Sequence, residues 1–208
     1  MYSIQMVRIK QTLLILILFL CFVKTSHAQK TDEQKLQEIQ FLKGQSEINI
    51  IFTYDSLMVG EKTEDDYIKE KVEGKNSKNE GKGDYWLQKW NEDKQVLFPK
   101  QFIDQFNNKL KKKGLKAVPQ SKSFYTLIVK STRIEPGFVS VVNKPAAVDF
   151  EFRFIETDNP EKTILKLKII NVAGDALYTE YNVSARIQEC YNIAGKLLGK
   201  YINEYLFR

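Results

Sequence analysis

Apolar and charged residues alternate in the second half of the chain, and a period of two is typical of β-strands that bury one face. From Ala147 to Ile155, valine and phenylalanine occupy the even positions, whereas Asp149, Glu151 and Arg153 occupy odd ones. This segment therefore predicts a strand with one wet face. Short runs rich in β-branched and aromatic residues predict further strands at Ile48–Tyr54, Phe124–Ile134, Val139–Val142, Thr163–Val172 and Leu177–Val183.

Helix signals dominate the middle of the chain. Thr63 precedes three acidic residues, and a threonine cap with acids in the first turn stabilises the free amides and the positive dipole end of a helix. A second helix is predicted to begin at Asp84, and a third to span Pro99–Lys113 and end at Gly114. The polar segment Gly74–Gly83 between the first two predicts a mobile loop.

The longest apolar stripe at helical spacing lies near the C-terminus. It predicts a helix capped by Ser184 that reaches about Leu206. Gly195 and Gly199 lie one turn apart near the stripe, although glycine costs about 1 kcal/mol in a helix interior. They predict a close approach of this helix to another backbone, most simply that of the sheet.

The order of these elements predicts an α+β domain. We expect a mixed or mainly antiparallel sheet of about five strands, with helices packed on it and a long C-terminal helix. Residues 46–208 are assigned to this single domain, residues 29–45 to a polar tether that leads into a short helix, and residues 1–28 to a secretory signal peptide.

The first 28 residues have the layout of a signal peptide. Arg8 and Lys10 precede the apolar run Thr12–Val23, and a cleavage site of small residues ends at Ala28. The run is shorter than the roughly 20 residues that cross a bilayer. We therefore expect export to the periplasm or the exterior, no transmembrane segment, and outer-membrane association left open. Lipidation at Cys21 is the alternative, disfavoured because a leucine precedes it.

Residue counts exclude several chemistries from the exported chain. The one histidine, His27, and one of the two cysteines lie in the signal segment, which excludes a Ser-His-Asp triad, a Cys-His pair and an HExxH zinc site. We expect no metal, no cofactor and no disulfide within the chain, and we interpret Cys190 as a buried apolar residue. The formal charge of +6 includes three cations of the signal segment, so the remaining excess argues against a nucleic-acid partner.

Tyr85, Trp86 and Trp90 form the first candidate binding site. Trp86 and Trp90 are four positions apart and share a helix face, next to the loop predicted at Gly74–Gly83. Core packing is one interpretation. The other is a surface that binds a glycan, a peptide or a partner protein, because aromatic side chains are favoured anchors in binding sites.

Lys111, Lys112 and Lys113 form the second candidate site, with Lys109 nearby. Cations in the last turn of a helix offset the negative end of its dipole, which is one explanation of the cluster. Binding of an anionic lipid or polysaccharide is the other.

These patterns favour a non-enzymatic envelope protein that acts as a binding or assembly module for a protein or a glycan. The alternative is a secreted hydrolase or lyase that acts on glycans through carboxylates, and a glycosidase needs two acids about 5–10 Å apart. Self-association through the helix that carries Gly195 and Gly199 is a third hypothesis and would give a homo-oligomer. No residue is assigned a catalytic role; the carboxylates available by type are Asp65, Asp66, Asp84, Asp149 and Glu151.

The final strands and the helix that begins at Ser184 resemble, in their order, small α/β modules of envelope proteins. The modules in question are the N-terminal domain of TolB and the curli-secretion accessory proteins of the CsgG type. The Ala28-Gln29 end of the signal segment is similar to those of exported envelope proteins of Bacteroidota. The resemblance implies a small α/β fold and an envelope location, and it transfers no site residue.

Overall fold

The computed structural model describes residues 32–141, 143–174 and 182–206. The chain divides into two units, residues 1–34 and residues 35–208, and the fold below is that of the second. The predicted signal peptide lies outside the described residues, as do positions 177–181 of the strand predicted at Leu177–Val183.

Five helices and seven strands make up the described part of the chain. The helices are α1 (Asp32–Ile39), α2 (Glu64–Asn76), α3 (Lys82–Glu92), α4 (Phe98–Leu110) and α5 (Val183–Leu206). The strands are β1 (Glu47–Thr53), β2 (Met58–Val59), β3 (Lys62–Thr63), β4 (Lys116–Val118), β5 (Tyr125–Glu135), β6 (Ala147–Glu156) and β7 (Asn159–Ala173). A π-helical turn, Asp93–Leu97, joins α3 to α4, and 3-10 turns follow α1 at Gln40–Leu42 and α4 at Lys111–Lys113.

The strands form one mixed sheet in which β5 has the most partners. β1 pairs with β5 in parallel from Asn49 to Thr53, and β2 continues this pairing along the same edge at Met58 and Val59. On the other edge, β5 pairs with β6 antiparallel, and β6 pairs with β7 in the same sense. β4 adds in parallel to β1, and β3 antiparallel to β2. The α+β class and the long C-terminal helix are confirmed, with seven strands instead of about five.

The core lies between one face of the sheet and a layer of helices. The even positions of β6 supply four side chains that are at most 1% exposed: Val148, Phe150, Phe152 and Phe154. Helices α4 and α5 cover them with buried stripes at helical spacing, among them Phe98, Phe102, Phe106, Ile187, Tyr191, Ala194 and Leu198. The rings of Phe102 and Phe152 lie 5.8 Å apart across the two layers. The alternation in β6 therefore encodes which face of the sheet is covered.

The close approach predicted at Gly195 and Gly199 is made to α4 and not to the sheet. A Cβ atom added at Gly195 would lie 2.2 Å from the carbonyl oxygen of Phe102, and one at Gly199 would lie 3.0 Å from that of Phe106. The expectation of a sheet contact is therefore wrong. Both glycines are buried within the chain because the two helices meet backbone to backbone.

Two helix caps also differ from the sequence prediction. Helix α3 begins at Lys82, after Gly81 with φ 78°, and not at Asp84. Helix α5 begins at Val183, and the cap is Asn182, whose Oδ1 accepts from the Ser184 amide at 2.9 Å. An Asn side chain that accepts from the second helical amide performs the same role that was predicted for Ser184.

The loop predicted at Gly74–Gly83 is shorter than expected, because α2 continues to Asn76. Gly83 is buried in α3, its amide donates to Asn76 Oδ1 at 2.6 Å, and a Cβ there would lie 2.3 Å from the Val72 carbonyl oxygen. This glycine serves the packing of two helices. The strand predicted at Val139–Val142 is absent over residues 139–141, where the backbone forms only a bridge between Phe138 and Lys144.

The segment predicted as a polar tether, residues 29–45, is helical over much of its described part. Ile39 and Leu42 are fully buried, and the ring of Phe41 packs edge-on against Tyr125 at 5.0 Å and Phe154 at 5.4 Å. These three apolar residues anchor the segment to the core. Residues 29–31 lie outside the described residues.

The backbone contact at Gly195 yields a stability prediction. We expect Gly195→Ala to lower the free energy of unfolding by about 1–3 kcal/mol, because the methyl group forces α4 and α5 apart. Gly74→Ala is the matched control, because Gly74 lies in an exposed stretch of α2 and a Cβ added there has nothing within 4 Å. This substitution should raise the free energy of unfolding by about 0.5–1 kcal/mol. Urea unfolding measures both, and equal stability of Gly195→Ala and wild type would contradict the packing argument.

Candidate functional site: an aromatic cleft

A concave site of about 510 Å³ lies between α3 and the first turns of α5. We call it the aromatic cleft and define it by six of its lining residues: Tyr85, Trp86, Trp90, Asp93, Ser184 and Gln188. Residues of the two helices meet here because α5 packs along α4, which continues directly from α3 through the π-helical turn.

The three aromatic residues predicted as a site differ in exposure. Trp90 is only 4% exposed and belongs to the core, whereas Tyr85 is 62% exposed. Trp86 is half-buried between them and stacks on Trp90 with ring centroids 5.9 Å apart. Tyr67 of α2 packs against both indoles at 5.8 and 5.7 Å. Core packing therefore describes Trp90, whereas the more exposed Trp86 and Tyr85 line the cleft beside it.

The position of Trp90 is fixed by a polar contact that the sequence does not predict. Its Nε1 donates to Glu64 Oε1 at 2.6 Å, and the Lys94 ammonium donates to the same oxygen. The Lys94 nitrogen also lies 5.2 Å from the ring centre of Tyr54. The Glu64 and Lys94 side chains are only 16% and 14% exposed, so this ion pair is shielded from water on most sides. Glu64 thus joins α2 to the helix that carries the tryptophans.

The π-helical turn beside Trp90 has a cause in the sequence. Pro99 has no N–H and clashes with the carbonyl four residues before it in a regular helix. Here the Phe98 amide donates to the Asp93 carbonyl, five residues back, and proline stands where the Lys94 carbonyl would find its donor at the same spacing. The Tyr54 hydroxyl donates to that carbonyl instead, at 2.7 Å. Burial raises the pKa of Tyr54 far above its usual range, so the hydroxyl keeps its proton.

The polar side of the cleft is a short chain of hydrogen bonds. Gln188 Nε2 donates to Ser184 Oγ at 3.0 Å. Asp93 is 7% exposed; burial raises the pKa of its carboxyl group, and a hydrogen bond with Ser184 opposes that shift. Asp93 is the one carboxylate among the residues that line the cleft in the described part of the chain. The site thus combines aromatic surface with hydrogen-bonding groups, a single acid and two lysines, Lys75 and Lys89.

The lysine cluster lies elsewhere. Lys111, Lys112 and Lys113 are exposed on the 3-10 turn that ends α4, and none of them lines the aromatic cleft. Lys111 instead borders a second cavity of about 420 Å³, together with Leu115 and Lys116. The structure therefore does not bring the two candidate sites together.

Most of the carboxylates considered as candidates for catalysis are held in ion pairs or lie apart from one another. Asp149 accepts from Arg133 at 3.0 Å, and Glu151 accepts from Lys166 at 2.8 Å. Asp65 borders a cavity of about 440 Å³ beside Glu64, whose carboxylate is paired with Lys94. No group of three or more His, Cys, Asp or Glu side chains suited to a metal is found within residues 32–141, 143–174 and 182–206.

Cys190 is a buried core residue, as predicted. It is fully buried in α5, and its Sγ contacts the Ala146 carbonyl oxygen at 3.3 Å. Burial raises the pKa of the thiol to about 12, so the reactive thiolate is suppressed.

Comparisons with known proteins add little to this geometry. No family model and no curated protein sequence matches the chain. Among solved structures, the chain is similar to protein XCC0632 from Xanthomonas campestris, of the family DUF330, with a TM-score of 0.32 and 12% identity. The match covers 51% of this chain and 61% of that one, and likeness at this level carries no argument about function. None of the helices in the described residues has the length and apolar character needed to cross a membrane.

Removal of the Tyr54 hydroxyl tests the hydrogen bond at the π-helical turn. We expect Tyr54→Phe to lower the free energy of unfolding by about 1–3 kcal/mol, because the Lys94 carbonyl loses its donor in a part-buried setting. Tyr85→Phe removes the same atom from a side chain that is 62% exposed, and should change stability by less than about 0.5 kcal/mol. Chemical denaturation of both variants provides the comparison, and equal effects would show that the turn needs no such bond.

The buried carboxyl group of Asp93 yields a pH prediction. Because its pKa is raised in the folded state, the folded protein favours the protonated acid, and ionisation opposes folding. This penalty is absent at pH values below the unfolded pKa of about 3.9. It grows as the pH rises from that value through the folded pKa. The stability of Asp93→Asn relative to wild type should therefore increase with pH over that interval. Urea unfolding of both proteins from acid to neutral pH tests this, and a constant difference would contradict it.

Proposed function

We propose that the protein is an exported, non-enzymatic module of the cell envelope that binds a partner, a protein or a glycan, in the aromatic cleft. The observation that carries this proposal is a concave site with the exposed ring of Tyr85 and the half-buried ring of Trp86 on one side. Ser184 and Gln188 of α5 and Asp93, which follows α3, complete the lining. Ligand sites typically combine aromatic surface with a few placed polar groups.

The number of acids in the cleft favours binding over hydrolysis. Glycoside hydrolysis requires an acid and a second carboxylate as base or nucleophile, and Asp93 is the one carboxylate that lines the cleft among the described residues. Of the other candidates, Asp149 and Glu151 are held in ion pairs. A carboxylate-dependent hydrolase or lyase that acts on glycans is the alternative, and it predicts turnover in the same cleft.

The proposal of an envelope location rests on the N-terminal pattern. Arg8, Lys10 and the apolar run Thr12–Val23 precede small residues that end at Ala28. The resemblance of the final strands and helix to small envelope modules supports the same location.

Binding in the cleft is tested with disaccharide-peptide fragments of peptidoglycan and with neutral oligosaccharides, because these probes offer both sugar and peptide. We expect saturable quenching of tryptophan fluorescence in the wild type, weakened about tenfold or more by Trp86→Ala and by Tyr85→Ala, since aromatic anchors dominate such sites. Phe124→Ala is the control, because Phe124 is 57% exposed and does not line the cleft. Product release from the probes would instead support the hydrolase.

A protein partner is tested in cells with a photo-crosslinking residue at position 85 and, as a control, at position 124. A discrete adduct from position 85 that position 124 does not give, and that Trp86→Ala abolishes, would support a protein partner. Absence of both probe binding and a position-specific adduct would contradict the proposed function.

A further inference from the structure

The face of the sheet opposite the helices carries a cationic surface that the function above does not use. We call it the basic sheet face and define it by two apolar and four basic residues: Ile51, Ile128, Lys130, Arg153, Lys166 and Lys168. They belong to β1, β5, β6 and β7, at positions that alternate with the buried core positions.

Strand register places these side chains in two adjacent rows across the sheet. One row runs from Lys130 through Glu151 to Lys168. The next runs from Ile51 and Ile128 through Arg153 to Lys166. Residues directly opposite one another on neighbouring strands lie about 5 Å apart, so the four cations share one compact area.

The cations of this face exceed the acids available to them. Glu151 lies in the middle and accepts from Lys166 at 2.8 Å and, more weakly, from Lys168 at 3.6 Å. In the described part of the chain neither Lys130 nor Arg153 forms an ion pair, although both side chains are partly buried. Glu151 also lies directly opposite Lys130 on the neighbouring strand. One carboxylate is therefore shared among four cations, and the face keeps an excess of positive charge.

The apolar members of the face lie among these charges. Ile51 is 44% exposed, and Ile128 is half-buried beside it. Lysine and arginine lay their methylene stems along apolar surface and extend their charged groups beyond it. Apolar side chains surrounded by cations are the composition that binds at the boundary between lipid headgroups and acyl chains.

We propose that the basic sheet face binds the surface of an anionic phospholipid bilayer. Phosphate groups in the headgroup layer balance the excess positive charge of the face, and the exposed Ile51 contacts the apolar boundary below. The face of a sheet presents its charges over a broad surface, and the aromatic cleft and the cavities at Lys111 and Asp65 are lined by other residues. The proposal does not depend on the function of the aromatic cleft.

Vesicle co-sedimentation tests the proposal with the chain that remains after cleavage of the predicted signal peptide. All variants are prepared in this form, so that every sample has the same N-terminus. Wild type should bind vesicles of equal parts phosphatidylglycerol and phosphatidylcholine, lose binding as salt rises, and bind pure phosphatidylcholine vesicles weakly. Each cation near an anionic surface is worth about a fivefold change in partition. The double variant Lys130→Gln, Arg153→Gln should therefore bind about 25-fold more weakly.

Two further variants keep the test decisive. Lys166→Gln with Lys168→Gln changes the same charge at exposed positions of β7, and it should weaken binding even if the first variant folds poorly. Lys78→Gln with Lys82→Gln removes two exposed cations near the turn between α2 and α3 and should leave binding within about twofold of wild type. The proposal would be overturned if the Lys78/Lys82 control lost as much binding as the variants of the basic sheet face, or if only substitutions at Lys111–Lys113 lowered binding. Binding to soluble heparin without binding to vesicles, or no vesicle binding at all, would also overturn it.

Discussion

The backbone contact between α4 and α5 is the constraint on which the rest of the structure depends. Gly195 lies against the Phe102 carbonyl and Gly199 against that of Phe106, so the two helices approach more closely than side chains on both would allow. Tyr191 then stacks on Phe98 at 5.0 Å and bonds to Ser131 of β5 through its hydroxyl. The C-terminal helix is thereby locked to both the helical layer and the sheet. The same contact places the first turns of α5 where they form the second wall of the aromatic cleft.

The other wall of the cleft depends on a second constraint, which originates at Pro99. A proline at that position forces the π-helical turn, and the freed Lys94 carbonyl takes its hydrogen bond from Tyr54 at the end of β1. The side chain of the same lysine pairs with Glu64, which in turn holds the Trp90 indole. Breaking a shielded pair of this kind leaves an uncompensated charge, which costs more than the pair itself contributes. Trp90 is therefore a fixed support on which Trp86 stacks, and Trp86 meets the cleft from a rigid base.

An element can be predicted from the sequence where its signal is local. The strand at β6 was predicted because each phenylalanine and its charged neighbour encode their own face, and the Thr63 cap was predicted because its partner, the Asp66 amide, is three residues away. A contact whose partner is distant in the sequence leaves no such signal. Gly195 indicates that another group of the protein approaches the helix closely. That group is the Phe102 carbonyl, which lies far away in the sequence. The Trp90–Glu64 bond likewise joins residues 26 positions apart, and no local pattern distinguishes Glu64 from the acids that follow it.

The two proposed surfaces lie on opposite sides of the sheet, and this arrangement allows both to be occupied in one molecule. The aromatic cleft is built on α3 and α5, within the helical layer, whereas the basic sheet face uses the strand positions that point away from that layer. A bilayer in contact with Lys130 and Arg153 would leave Tyr85 directed away from the lipid and accessible to a partner. The sheet face presents its charges over several strands, whereas the aromatic cleft is concave and suited to a discrete ligand. Occupancy of one surface therefore does not exclude occupancy of the other.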